Sequence, residues 1–248
     1  MILANLRERI SATDVDLVVK LLARGDPGRK LTLQRVAAGQ GIDVLLDEPR
    51  LSTLLRDRPQ HGSPSPALFI YVVVRHTLRA VGIDDARLSD YLGALIFEFG
   101  LRDRAHRISR SDDEVYHYLA DILADVESVP GRRGFLLRAH LGNFSLWLAG
   151  IFPDYITARE ERKGGPGLGY YEELGAHGFR LAAHHRLARQ LDLADIYARA
   201  AESFPVIRVA LNRLSDRLFF PNVATPGRLL RQVADEFRLG NEGTTQGW

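Results

Sequence analysis

The stretch LSDYLGALIFEFG, residues 88–100, decides the fold more clearly than any other part of the chain. Its large apolar residues recur at i, i+3, i+4, i+7, i+8 and i+11, as Leu88, Tyr91, Leu92, Leu95, Ile96 and Phe99. An α-helix turns once in about 3.6 residues, so this spacing places all of them on one face. Gly100 follows as a helix-ending residue. The pattern predicts an amphipathic helix over residues 84–99, packed against a core.

Helix start and stop signals recur along the rest of the chain. Thr13 or Asp14 precedes a helix that Gly25 ends, and Pro27 opens the next one after Asp26. Ser111 and Glu114 have capping-box spacing ahead of a helix that runs to residue 128. Further helices are predicted at 66–81, 134–152, 170–190, 193–203, 205–219 and 226–238. Because no stretch alternates apolar and polar residues for long, we predict an all-α, multi-helix globular bundle around the apolar central helix 134–152.

The segment RPQHGSPSP, residues 58–66, is the clearest linker in the sequence, because proline, glycine and serine are concentrated there. It predicts a small helical N-terminal unit over residues 1–58, a linker over 59–66 and a main helical domain over 67–239. Residues 240–248 are predicted to form a flexible tail. The charged and then glycine-rich segment 158–169 is predicted to be an exposed, mobile loop.

Composition limits the classes of function. Apolar residues make up 46% and charged residues 26% of the chain, there is no cysteine, and the formal charge is +2. These values are typical of a soluble globular protein, and they exclude thiolate metal sites and cysteine nucleophiles. We expect a cytoplasmic protein, since the absence of cysteine suits that compartment. We expect it to span no membrane, since polar residues interrupt the longest apolar run, 135–152. Arginine is abundant everywhere and balanced by acids, which disfavours nucleic acid as a partner.

The segment YYEELGAHGFRLAAHHRLARQ, residues 170–190, holds a candidate metal site. On a helical wheel, Glu173, His177 and His184 form one stripe beside the predicted buried face. They span roughly 16 Å along a helix, so not all of them reach one ion. The sequence identifies no cofactor. Of the possible cofactors, a divalent metal ion is the one that the side chains of this stripe could bind. The lone Glu114-x-x-His117 pattern falls on the outer side of its predicted helix and indicates no di-iron site.

A second candidate is a ligand pocket inside the bundle. His76 lies among apolar residues on the helix 66–81, and His140 lies on the central helix. Buried histidines need polar partners. If the two helices pack together, His76, His140, Arg138 and Asn143 would form a polar pocket for a small molecule.

Two arginine-bearing segments complete the candidates. Residues 101–110 carry Arg102, Arg104, Arg107 and Arg110, which predict an anion-binding connector or, alternatively, an ordinary solvated loop. The segment 208–220 places Arg213 and Arg217 one turn apart, beside Asn212 and Asp216. This helix is suited to an interface or to core salt bridges.

No complete catalytic arrangement is present, so whether the chain is an enzyme stays open. The leading prediction is an all-helical binding or protein-interaction module that associates with itself or with a protein partner. One alternative is a metal-dependent enzyme that uses histidine and carboxylate ligands inside the bundle. Another is a phosphate or nucleic-acid binder that acts through Arg102 to Arg110, whose affinity would fall steeply with salt.

Overall fold

The computed structural model describes residues 1–57, 62–101, 104–109 and 112–244, of which residues 127 and 240–244 by backbone only. In this part of the chain there are fourteen α-helices and no strand, so the predicted all-α class is confirmed. The helices group into two compact units, Ile2–Glu98 and Phe99–Trp248, with Met1 joining the second.

The first unit contains α1 (Ala12–Ala23), α2 (Pro27–Gln40), α3 (Asp43–Leu46), α4 (Leu51–Asp57), α5 (Pro66–Arg79) and α6 (Ala86–Phe99), of which the last residue, Phe99, belongs to the second unit. The helices on both sides of segment 58–66 belong to this one unit. The boundary between the two units lies between Glu98 and Phe99, after the predicted linker in the chain. Residues 58–61 lie outside the described residues, and the flexibility of the linker stays a prediction.

Helix starts in the first unit follow the predicted chemistry with one shift. Ser11, two residues before the predicted cap, begins α1, and its hydroxyl accepts from the amide of Asp14 at 3.2 Å. Asp26 caps α2 through the amides of Gly28 and Arg29, ahead of Pro27 as predicted. Each cap satisfies amide groups that the first turn of a helix leaves unpaired.

The second unit begins with a short 3-10 turn at Arg104–His106. Its helices are α7 (Leu119–Ser128), α8 (Gly131–Ile151), α9 (Pro153–Lys163), α10 (Leu168–Ala183), α11 (Arg186–Gln190), α12 (Ala194–Glu202), α13 (Phe204–Leu218) and α14 (Pro226–Thr244). The helix α8 is the predicted central helix, and most of its residues are buried. It ends before Pro153, which lacks an amide hydrogen and opens α9.

Glycine allows α8 and α10 to pack closely in the core of this unit. A Cβ atom on Gly178 of α10 would lie 2.8 Å from the amide nitrogen of Gly142 and 2.9 Å from the carbonyl oxygen of Arg138, both on α8. Such distances are shorter than a van der Waals contact, so only glycine fits at residue 178. The buried face of α10 therefore consists largely of small residues, Gly175, Ala176, Gly178 and Ala182, with Tyr171, Glu172 and Phe179.

Three predicted boundaries in the second unit are wrong. The helix predicted from Ser111 begins only at Leu119, because Glu114 pairs instead with Arg133 and with the hydroxyl of Tyr116. The predicted loop 158–169 is helical as far as Lys163, where Gly164 ends α9 at φ 60°. The predicted helix 170–190 breaks at residues 184–185, where His185 caps α11. At the other end, α14 extends to Thr244, so residues 240–244 continue a helix, and 245–248 lie outside the described residues.

No single helix in the described part of the chain is both long enough and apolar enough to cross a membrane. The helices α8 and α9 reach the required length and composition only when joined, and their axes differ by 88°.

Candidate interaction surface

The last helix, α14, turns its charged side inward. Arg228, Arg231 and Asp235 recur at i, i+3 and i+7, and each is less than a tenth exposed. Charged residues are seldom buried to this degree unless they are paired. The helix is therefore held to the second unit by ion pairs on its inner face.

Arg208 of α13 is the centre of one group of these ion pairs. Its guanidinium donates to Glu172 of α10 at 2.7 Å and to Asp235 of α14 at 2.6 Å. Glu172 also accepts from Arg238 of α14 at 2.6 Å. Arg208 and Glu172 thus connect three helices, α10, α13 and α14, and a guanidinium with several fixed donors is suited to such a junction.

A second group of ion pairs secures the first half of α14. Arg228 donates to Asp154 of α9 at 2.8 Å and to the carbonyl oxygens of Phe220 and Val223. Arg231 donates to both carboxylate oxygens of Asp216 of α13, at 2.8 and 2.9 Å. The predicted use of the segment 208–220 in salt bridges is confirmed at Asp216.

The helix α13 is itself fixed to the end of α8. Asn212 donates to the carbonyl oxygens of Ala149 and Gly150 at 2.7 and 2.8 Å, and the hydroxyl of Ser215 donates to that of Ile151 at 2.6 Å. The last turn of a helix leaves its carbonyl groups without partners in the helix. These buried side chains satisfy them, and they place Arg208 and Asp216 opposite α14.

The outer side of α14 is apolar and exposed. Leu229, Leu230, Val233 and Phe237 are 56%, 71%, 54% and 70% exposed. At 100° per residue they lie between 100° and 200° from Arg228, opposite the buried charges. A surface helix of a globular protein ordinarily places its apolar stripe against the core and its charges in water. The helix α14 has the reverse arrangement, and we call its four exposed residues the outer face.

The predicted pocket residues are distributed over both units. His76 lies in the first unit, where its Nε2 donates to the carbonyl oxygen of Leu46 at 2.8 Å and burial lowers its pKa. Arg138, His140 and Asn143 lie on α8 in the second unit. Arg138 and His140 are separated by about 200° around this helix, so they point to opposite sides. The ligand pocket stays a prediction.

His140 is buried among aromatic rings. Its ring stacks on Phe144 at 5.8 Å between centroids, meets the edge of Phe99 at 5.8 Å and lies 6.4 Å from Tyr116. Among the described residues its Nε2 has no hydrogen-bond partner, and burial lowers the pKa of His140 to about 3. The imidazole is therefore neutral at pH 7 and contributes to the core as a flat ring.

The predicted metal stripe lies on the exposed face of α10. Glu173, His177 and His184 are all exposed, and Nδ1 of His184 donates to the carbonyl oxygen of Arg180 at 2.7 Å. The prediction that this stripe borders the buried face of the helix was wrong. The buried face of α10 consists largely of glycine and alanine and lies on the other side of the helix. Among the described residues, no group of three or more histidine, aspartate or glutamate side chains could hold a metal ion. The metal site remains a prediction.

Two of the four arginines predicted to bind an anion are described. Arg104 is buried, donates to the carbonyl oxygen of Arg107 at 2.5 Å and lies 5.7 Å from the ring of Phe99. Arg107 donates to the carbonyl oxygen of Asp112. Arg102 and Arg110 lie outside the described residues, so anion binding by this segment stays a prediction.

Sequence reasoning predicted α14 as a helix but missed the roles of Glu172, Arg208 and Asp235. On the helical wheel of residues 170–190, Glu172 points largely away from the sector of large apolar residues, so the sequence gives no sign that it is buried. The sequence of α14 does contain one relevant signal. It carries an apolar stripe and a charged stripe, and in each of them the residues are spaced three and four apart. A helical wheel identifies both stripes, but it does not tell which of them faces inward.

Comparison with protein-family models, with curated proteins and with solved structures finds no match to this chain.

Proposed function

We propose that this chain is a protein-interaction module that forms a homodimer through the outer face of α14. The single observation that supports this proposal is the reversed orientation of α14, with its charges buried and its apolar residues in water. Water disfavours exposed apolar surface by roughly 25 cal/mol per Å². A helix with ion pairs on its inner side and leucine, valine and phenylalanine outside is suited to a protein partner.

The size of the outer face matches that of a dimer interface. Four large side chains, each more than half exposed, present on the order of 500 Å² of apolar area, a size at which exposed patches mark interaction sites. Homodimer interfaces are about 65% apolar, so this area corresponds to about 800 Å² on each copy. That is the standard size of a specific protein interface.

A second copy of the chain is the occupant that this surface fits best. In a two-fold dimer, the same patch lies on both sides of the interface, so the patch must be complementary to itself. The outer face carries no charge among its four residues, so two copies bring no like charges together at its centre. Val233 lies midway between Leu229 and Phe237 along the helix, and it would lie near the two-fold axis.

Substitution of Leu230 with glutamine tests this proposal. Glutamine keeps the length of the side chain and its helix propensity, so the fold is retained. Each dimer would lose two buried leucines. We therefore expect the dissociation constant of the dimer, measured by sedimentation equilibrium, to rise at least about tenfold. Leu31, which is 58% exposed on α2, supplies the matched control. Leu31→Gln should leave the dimer unchanged, and a wild-type chain that stays monomeric at high micromolar concentration would contradict the proposal.

A further inference from the structure

A cleft on the second unit lies beside the helix α9. It has a volume of about 270 Å³ and is lined by Tyr118, Tyr155, Ala158, Arg159, Arg162 and Lys163. The lining combines two tyrosine rings with three cationic side chains, and no described carboxylate is part of it. The cleft is independent of the outer face of α14, whose residues do not line it.

The charges of α9 are sorted around its axis. With Arg159 at 0°, Tyr155, Arg162 and Lys163 lie within about 60° of it, whereas Glu160 lies near 100° and Asp154 and Glu161 lie near 200–220°. Asp154 pairs with Arg228 and Arg231 on α14. Asp154 thus faces the arginines of α14, and the cations lie on the side of the cleft.

These three cations have no acidic partner among the described side chains. Arg159 lies instead over the ring of Tyr118, with its guanidinium carbon 5.6 Å from the ring centroid. Arg162 and Lys163 are exposed in the last turn of α9, where the negative end of the helix dipole stabilises positive charge. The dipole explains why cations are tolerated there, but it does not explain two tyrosines beside them.

The tyrosine rings are available to a ligand. Tyr118 and Tyr155 are 56% and 58% exposed, although large aromatic side chains tend to be mostly buried. Arginine and tyrosine present flat surfaces on which an aromatic ring stacks, and such stacking holds bases in proteins that bind single strands. Arginine and lysine side chains beside such rings are suited to phosphate.

We propose that this cleft binds a nucleoside phosphate, with its base against Tyr118 and Tyr155 and its phosphate groups at Arg159, Arg162 and Lys163. The volume is close to the lower end of small-molecule sites, about 300 Å³. A nucleoside phosphate can be a free nucleotide or one unit of a single-stranded nucleic acid, and both present the same ring and charge to the cleft.

Calorimetric titration of the full chain tests this proposal with four probes: ADP, adenosine, inorganic phosphate and a ten-residue oligothymidylate. ADP is expected to bind more tightly than adenosine or phosphate, because only ADP engages both rings and cations. Tighter binding of the oligonucleotide than of ADP would assign the site to single strands, and weaker binding would assign it to free nucleotides. Absence of ADP binding, or phosphate binding as tight as that of ADP, would overturn the proposal.

Two variants locate the binding. The double variant Arg162→Gln, Lys163→Gln should weaken ADP binding by roughly tenfold or more, since two charge-assisted contacts are lost. Tyr155→Ser should weaken ADP binding while leaving any phosphate binding unchanged. Arg29→Gln, Lys30→Gln is the matched control, because this adjacent exposed pair lies on α2 in the first unit. Equal losses in the double variant and its control would overturn the assignment to the cleft. Circular dichroism establishes that each variant is folded.

Discussion

Replacement of Arg208 with alanine is expected to lower the free energy of unfolding of the second unit by about 3–5 kcal/mol. The substitution removes the guanidinium from between Glu172 and Asp235, which are 8% and 6% exposed. Both carboxylates would then stay buried with weaker pairing, since Glu172 would keep only the partly exposed Arg238 and Asp235 only Arg231 at 3.6 Å. Removal of a partner from a buried charge is far more costly than a lost surface contact. Chemical denaturation followed by circular dichroism measures the change.

The matched control lies on the same helix. Arg213 of α13 also donates to α14, at 2.7 Å from Glu236, but the side chain of Glu236 is 68% exposed. An exposed ion pair contributes at most about 1 kcal/mol, so Arg213→Ala should have a small effect. If the two alanine variants lowered stability equally, the buried ion pairs would not be what holds α14 in its orientation.

Substitution of Gly178 with alanine is expected to destabilise the second unit by about 1–3 kcal/mol, although alanine is the better helix former. The new methyl group would meet backbone atoms of α8 at 2.8 and 2.9 Å. Backbone atoms of a helix cannot move away by changing rotamer as a flexible side chain can, so α8 and α10 must separate. Thermal unfolding monitored by circular dichroism reports the loss.

Gly169 of the same helix gives the opposite expectation. Apart from its own helical turn, no described residue has an atom within 4 Å of a Cβ placed on Gly169, so Gly169→Ala should leave stability unchanged or raise it by up to about 1 kcal/mol. Stabilisation by both substitutions would show that α8 and α10 are not in the close contact described.

The helical class and most helix starts could be predicted from the sequence because local chemistry determines them. Asp26 with Pro27 and Ser65 with Pro66 begin helices as expected, and their side-chain caps are local interactions. The capping box at Ser111 and Glu114 failed because Glu114 has a stronger partner, Arg133, nineteen residues away. A pattern of four residues carries no information on such tertiary contacts.

The orientation of helices was harder to predict than their positions. For α10 the large residues suggested one buried face, but the packing against α8 requires glycine and alanine and leaves Tyr170 exposed. For α14 both stripes are visible in the sequence, and only the acids on α9, α10 and α13 turn the charged one inward. The candidate surface therefore depends on side chains from four helices, a convergence that no local pattern contains.

A single introduced cysteine tests whether two copies meet on the outer face of α14, because the chain has no cysteine of its own. In a two-fold dimer built on the outer face of α14, Val233 lies close to its copy, so Val233→Cys at low micromolar concentration should join two chains efficiently with a short bis-maleimide. The link should be lost when Leu230→Gln is added, and Leu31→Cys should not form one. If Val233→Cys were joined no more efficiently than Leu31→Cys, the outer face of α14 would not be the surface on which two copies meet.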